Sequence, residues 1–381
     1  MEVGMTQFDW LTHEIDFVTN KVKKNLPLFQ DTVPPAASVD LVYVPEENTD
    51  WTASFWIGML FLVKELTNDQ AVDATIEKQL ASFRQRLEND IALETHDIGF
   101  LYTLSAVADY QVNRRESSKE LAIQAADRLM KRYDVNTQII QAWGDLKDEH
   151  QRGRMIIDCL MNLPLLYFAS NMTGESSYKE AAYAHAKQTQ RYIVRDNFTT
   201  YHTYYFDPKT GKAIGGNTQQ GFSDDSCWAR GQAWGIYGFT LSYNHTGDYT
   251  FLETAKGLAD YFIDCLPEDT ICYWDLVFHD GSGEERDTSA AAIAVCGLLE
   301  LAKQLPLSDP KKEYYQTVAI TIMKTLSTDY TSVDSPQSNS LLLEGVYDKK
   351  SNKGVKECII WGDYYYVEAL IRLKKVWYSY W

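Results

Sequence analysis

The chain is short of positive charge. Its 36 Lys and Arg face 53 Asp and Glu, a net charge of −17 over 381 residues. That balance excludes nucleic acid or an anionic membrane as the main partner, yet leaves room for an anionic small ligand in a locally positive pocket. Long apolar runs are missing as well. The longest, Ala290 to Leu299, falls far short of the ~20 residues of a membrane helix. Met1 to Val18 carries Glu2, Asp9, His13, Glu14 and Asp16, with neither the basic start nor the apolar stretch of a secretory leader. The cysteines, Cys159, Cys227, Cys265, Cys272, Cys296 and Cys358, form no Cys-x-x-Cys pair, which argues against zinc and thioredoxin-type sites. Scattered thiols without a leader predict a reducing, cytoplasmic location. No nucleophile elbow, P-loop or dinucleotide fingerprint occurs, and Gly215-Gly216 alone is too weak for phosphate binding, so no cofactor is expected. Aromatic residues, by contrast, are plentiful: 10 Trp, 25 Tyr and 15 Phe. Most must fill a core, but flat apolar rings also suit sugars.

Helical periodicity dominates. Amphipathic helices are predicted at about 5–23, 70–88, 117–132, 177–193, 250–265 and 310–327. Helices apolar on most sides are predicted at about 50–66, 96–111, 154–170, 227–243, 287–304 and 361–375. The two kinds alternate strictly. Turns from buried to amphipathic helix are short; Thr173-Gly174-Glu175 and Thr246-Gly247-Asp248 read as helix stops with polar restarts. The reverse connections are mostly long. A repeated helix pair predicts an all-α fold, an (α/α)6 barrel of six inner and six outer helices in one domain over 1–381, with an open solenoid as the competitor. All long loops then gather at one end with the N-termini of the inner helices, where positive dipole ends favour an anion.

Those inner starts are polar and aromatic: Asp50-Trp51, His96-Asp97, Arg154 to Asp158, Trp228 to Trp234, Arg286-Asp287 and Trp361-Gly362-Asp363. Asp158 stands in an otherwise apolar stretch. On a helix, Arg154, Asp158 and Asn162 share one stripe. Burial is expected to raise the pKa of Asp158, as a general acid requires, while a pairing Arg154 would oppose this. A structural Arg–Asp pair is the plainer alternative. Asp97 reads either as a helix N-cap or as a second carboxylate tuning Asp158. Trp51, Trp143, Trp228 and Trp234 are either sugar platforms or core. Arg230 could grip a carboxylate bidentately. His202 and Gln220 share one long loop. His96-Asp97 also matches part of a metal-dependent phosphohydrolase signature, but the one upstream histidine, His13, is remote on an outer helix, and no metal is expected.

Several segments carry a resemblance. They are Asn48-Thr49-Asp50-Trp51-Thr52, His96 to Tyr102, Ile140-Gln141-Ala142-Trp143-Gly144 and Ile156-Ile157-Asp158-Cys159-Leu160. Further on come Tyr201-His202-Thr203, Gln220-Gly221, Trp228 to Gly238 and Trp361 to Tyr366. In this order, spanning nearly the whole chain, they resemble the unsaturated glucuronyl hydrolases, a glycoside hydrolase family with an (α/α)6 barrel. The resemblance implies a substrate oligosaccharide ending in a Δ4,5-unsaturated uronic acid, such as lyases leave on glycosaminoglycans. It implies hydration of the C4=C5 enol ether rather than attack at C1, with Asp158 donating a proton to C4 and helping activate water, and Asp97 as the second essential carboxylate. Trp51, His96, Trp143, His202, Gln220, Trp228, Arg230, Trp234 and Tyr347 match the family's substrate-lining positions.

Some family members that accept sulfated glycosaminoglycans carry Ser-x-x-Ser-x-Lys near the C-terminal loop. Here Ser351 and Lys353 are present, but Asp348 replaces the first Ser; Lys349 and Lys350 would attract a sulfate that Asp348 repels. Alternatives are a related hydrolase for pectic fragments and a non-catalytic helical sugar-binding protein. The oligomeric state is left open.

Overall fold

The alternation of buried and one-sided segments is realised in space. The computed structural model describes residues 7–381. In chain order the helices are α1 (Gln7–Asn25), α2 (Ser54–Thr67), α3 (Asp73–Glu88), α4 (Ile98–Tyr102), α5 (Ala108–Asn113), α6 (Glu116–Met130), α7 (Leu163–Thr173), α8 (Ser176–Tyr192), α9 (Ala229–Thr246), α10 (Tyr249–Asp264), α11 (Thr288–Gln304), α12 (Pro310–Asp329) and α13 (Ile360–Lys374). A π turn over Thr103–Val107 joins α4 to α5, so the two act as one inner rod. Residues 5 and 6 of the expected first helix lie outside the described residues, as does the start of the segment read for a leader.

Each inner helix packs on the next: α2 on α4, α4 on α7, α7 on α9, α9 on α11, α11 on α13, and α13 back on α2. The ring therefore closes, which decides against the open solenoid. Each outer helix covers the inner helix before it in the chain. The exception proves the circular logic, because α1 packs against α13, so the two ends of the chain form the sixth pair. Both anticipated stops occur as left-handed glycines, Gly174 at φ 79° and Gly247 at φ 73°. After the second, Asp248 accepts from the Thr250 N–H at 2.9 Å and restarts the chain as α10.

One inner helix departs from expectation. The stretch 154–170 is not a single helix. Arg154–Ile156 is a strand, Ile157–Met161 a 3-10 turn, and α7 begins only at Leu163, with Pro164 in its first turn. Proline there is the start signal that apolar periodicity concealed. The helical stripe of Arg154, Asp158 and Asn162 therefore does not exist. The long loops also carry antiparallel strands: β1 (Tyr133–Asp134) with β2 (Ile139–Ile140), β3 (Arg154–Ile156) with β4 (Thr203–Phe206) and β5 (Ala213–Asn217), and β6 (Gly345–Asp348) with β7 (Lys353–Glu357).

The two segments that carry the candidate carboxylates cross at backbone contact. A Cβ on Gly99 would lie 2.3 Å from Asn162 Cα and 2.5 Å from its carbonyl oxygen. Neither atom can move without shifting the chain. Gly99→Ala is expected to cost about 1–3 kcal/mol by overpacking. Gly215→Ala, with nothing within 4 Å of the added carbon, is expected to stay within about 0.5 kcal/mol. Urea denaturation of both variants checks the contrast.

Candidate active site

Three side chains meet where α4 and the 157–161 turn approach. His96 Nε2 lies 3.3 Å from Asp158 Oδ1 and 3.4 Å from Asp97 Oδ1. The imidazole is 1% exposed, whereas the Asp97 and Asp158 side chains are 15% and 19% exposed. The carboxylates thus reach the mouth of the barrel while the ring between them stays behind. Backbone anchors hold the arrangement: the His96 N–H donates to Ala142 O at 2.9 Å.

Asp97 is the residue before α4, yet its side chain makes no capping bond. The N-cap reading therefore fails for the carboxylate. Instead Thr95 Oγ1 donates to Asp97 Oδ2 at 2.6 Å, and Asn162 Nδ2 stands 3.5 Å from Oδ1. The other end of the Asn162 amide accepts from Phe100 N–H at 2.7 Å. Thr95 and Asn162 were not among the predicted site residues: Asn162 reaches Asp97 from a segment remote in sequence, whereas Thr95, two positions before Asp97, carries no signal in its residue type that marks it as a holder.

The electrostatics correct a second expectation. Desolvation alone would raise the pKa of Asp158, but the proximity and charge of His96 outweigh it and leave that pKa below the ordinary carboxylate value. Arg154 is not its partner. Desolvation raises Asp97, assisted by the negative charge of Asp158 and opposed by His96. For His96, burial disfavours the cation, but the Asp97 charge, the Cys159 sulfur and Asp158 together lift its pKa well above the usual imidazole value. The resting pattern is an imidazolium facing an ionised Asp158.

Most of the remaining candidates form a continuous wall. Trp51 Nε1 donates to Tyr347 Oη at 3.3 Å. Arg230, only 2% exposed, donates to the main-chain carbonyls of Val346 at 2.6 Å and Tyr347 at 2.7 Å. Its guanidinium lies 4.4 Å over Trp228 and 4.9 Å over Trp361. Gln220 spans the same junction, accepting from Arg230 and donating to Tyr347 O at 3.2 Å. His202 packs on Trp228 with centroids 4.3 Å apart, and its Nδ1 accepts from the N–H groups of Gln219 and Gln220. Burial lowers its pKa to about 4, so it is a neutral ring with the proton on Nε2. Trp234, 1% exposed, lies beneath the wall against Phe100 and Tyr365. Trp143, 37% exposed, stands on the rim. Ser351 and Lys353 are exposed on the β6–β7 hairpin, with Lys353 Nζ 4.4 Å above the Tyr347 ring. Asp348 Oδ1 accepts from the Lys350 and Ser351 N–H groups and so builds the hairpin turn, while Lys349 is held by Glu285.

The pKa directions predict opposite pH behaviour for the two charges. A raised His96 contributes stability that is complete below its unfolded pKa and disappears as pH rises through its folded value. A lowered Asp158 contributes above its unfolded pKa and is lost as pH falls through its folded value. His96→Gln is therefore expected to lose more stability relative to wild type at about pH 6 than at about pH 9–10. Urea titrations at both pH values test this; an equal loss would contradict a charged His96.

The comparisons with known proteins agree with this architecture. Residues 29–375 match the profile described as Glycosyl Hydrolase Family 88. The chain is 47% identical over 358 residues to an unsaturated chondroitin disaccharide hydrolase of Streptococcus agalactiae, covering 94% of this chain and 89% of that one. A crystal structure of unsaturated glucuronyl hydrolase from Streptococcus agalactiae superposes with TM-score 0.93 at 45% identity, covering 97% of this chain and 94% of the other. A variant of that enzyme complexed with dGlcA-GalNAc6S superposes with TM-score 0.88 at 42% identity, covering 99% and 94%. Among the described residues no helix is long and apolar enough to cross a membrane. With the helical ring, its polar mouth and a profile match over most of its length, the chain belongs to glycosyl hydrolase family 88.

Proposed function

We propose that the chain is one catalytic domain that removes a Δ4,5-unsaturated uronic acid from the non-reducing end of chondroitin- or hyaluronan-derived disaccharides. The observation that carries this reading is the pair of carboxylates sharing a buried histidine at the mouth of the ring. An enol ether needs a proton on C4 and water on C5. Protonation of carbon is slow and calls for a positioned acid, and the charge that develops at C5 calls for a nearby anion.

The resting charge pattern gives the proton a source. Asp158 is ionised beside the His96 imidazolium in the free protein. A sugar ring seated over the mouth removes water from Asp158, and its own carboxylate adds negative charge. Both effects raise the Asp158 pKa and draw a proton from His96. Asp158 then delivers that proton to C4. The resulting carboxylate stabilises the cation at C5 and accepts a proton from the water that adds there. The C5 hemiketal opens by breaking the C5–ring oxygen bond. C1 is left as a hemiacetal that collapses to an aldehyde and releases the reducing-side sugar. Asp97 holds His96 in place and keeps the negative field at the site. The aromatic wall of Trp51, Trp228 and Tyr347 receives the ring, and the neutral His202 offers its Nε2–H as a donor.

Loss of the alkene ultraviolet absorbance follows the reaction directly. Asp158→Asn is expected to lower kcat by roughly 10²–10⁴-fold with little change in KM, and Asp97→Asn to lower it as well. Wild type that leaves the absorbance of unsaturated chondroitin and hyaluronan disaccharides unchanged would remove this function. An Asp158→Asn variant with unimpaired turnover would remove its assigned role.

A further inference from the structure

We propose that Arg154 recognises a sulfate ester on the sugar that follows the unsaturated uronate. The inference rests on the reading of the mouth given above. The pleat of the small sheet sets where the Arg154 side chain leaves the strand. Arg154 pairs with Tyr205, and Met155 with Tyr204. Successive side chains of a strand leave on opposite faces. Met155 faces the outer helix α8, its sulfur 3.5 Å from Thr189 Oγ1, and the Tyr204 ring packs on Tyr192 of α8 at 5.3 Å. Arg154 and Tyr205 therefore share the other face. That is the site's face, because Tyr205 Oη accepts from Gln219 Nε2 at 3.1 Å and the Gln219 N–H donates to His202.

On that face the guanidinium lies 4.4 Å over the ring of Trp143 and 5.8 Å from that of Tyr205. Among the described residues no carboxylate is within ion-pair distance of it, and its Nε is buried with no hydrogen-bond partner. Arg154 is half-buried, and the fully buried arginines differ from it. Arg132 and Arg86 give their nitrogens to main-chain carbonyls and to acidic or amide side chains, and Arg230 to carbonyls and Asp287. A buried N–H without an acceptor is costly, so the unpaired Nε–H of this cationic fork at a binding mouth favours an anionic acceptor there. Its planar pairs of donors match two oxygens of a sulfate. The hairpin offers the exposed Lys350 and Lys353, but its Lys349 is committed to Glu285, and Asp348 places a carboxylate where the turn begins. On a disaccharide whose uronate carboxylate belongs to the first ring, a sulfate is the remaining anion for Arg154 to meet.

The test compares unsaturated chondroitin disaccharides without sulfate, with 4-O-sulfate and with 6-O-sulfate, using wild type, Arg154→Gln and Arg154→Lys. The readout is the ratio of kcat/KM for each sulfated substrate to that for the unsulfated one. Arg154→Gln is expected to lower this ratio by about tenfold or more for at least one sulfate position, chiefly through KM. Arg154→Lys should recover part of the loss, and added salt should lower the wild-type ratio more than that of Arg154→Gln. A ratio that does not move in a folded variant, including a parallel fall on all substrates, overturns the inference and reduces Arg154 to a prop for Trp143. Should Arg154→Gln fail to fold, Arg154→Lys and the wild-type salt dependence decide. Wild type that acts on the unsulfated disaccharide but rejects both sulfated ones also overturns it. Wild type inactive on all three refutes the proposed function instead.

Discussion

A buried imidazolium held between two carboxylates is the constraint on which the site depends. Burying one charge in a protein interior is expensive, and burying it with a partner is tolerable only if the geometry is kept. His96 meets both Asp97 and Asp158 within 3.4 Å, so the cost of its desolvation is offset on two sides. The same contacts divide the carboxylates. His96, aided by the charge of Arg230, leaves Asp158 ionised against its own desolvation, whereas Asp97 is pushed up by burial and by its acidic neighbour. Two chemically identical groups thereby acquire different proton affinities, and unequal affinities are what acid and base work requires.

The barrel supplies the rigidity that this balance needs. Asp97 comes from the start of one inner rod and Asp158 from the turn before the next. Their separation is set where Gly99 meets the Asn162 backbone, a crossing with no room for a side chain. Ring closure fixes the angle between the rods. Across the mouth, Arg230 ties the β6–β7 hairpin to the wall through two main-chain carbonyls, and Trp51 reaches the same hairpin through Tyr347. An arginine bonded to two main-chain carbonyls is a frame member. It brings its charge near Asp158 and holds the aromatic surface in place.

Most of the helical plan was legible in the sequence because it rests on local periodicity and on stop signals such as Gly174 and Gly247. The closed ring was legible for the same reason, since the alternation of buried and one-sided helices admits few arrangements. His96 and Asp97 were legible as a polar pair at an inner helix start. Asp158 was found on a wrong geometric premise: an apolar run with a lone carboxylate was read as helix, whereas Met155 and Ile156 pair with a strand some fifty residues away. Strand pairing at that separation leaves little local trace in three-residue segments. For the same reason Arg154 was matched to Asp158, and Asn162, 65 residues from Asp97, was passed over as its holder; Thr95 is a local neighbour whose residue type gave no sign of the role. Arg230 and Trp234 were singled out by type and position; how deeply each is buried is a property of the assembled ring.

The mechanism turns on where the proton goes. Turnover of an unsaturated chondroitin disaccharide in deuterium oxide, followed by NMR from the first minutes, reads this directly. The account predicts that the released uronate has lost its C4=C5 double bond and carries one solvent deuteron at C4, on a single face. A released uronate that keeps the double bond and carries no deuterium at C4 would mean cleavage at C1, and would contradict it.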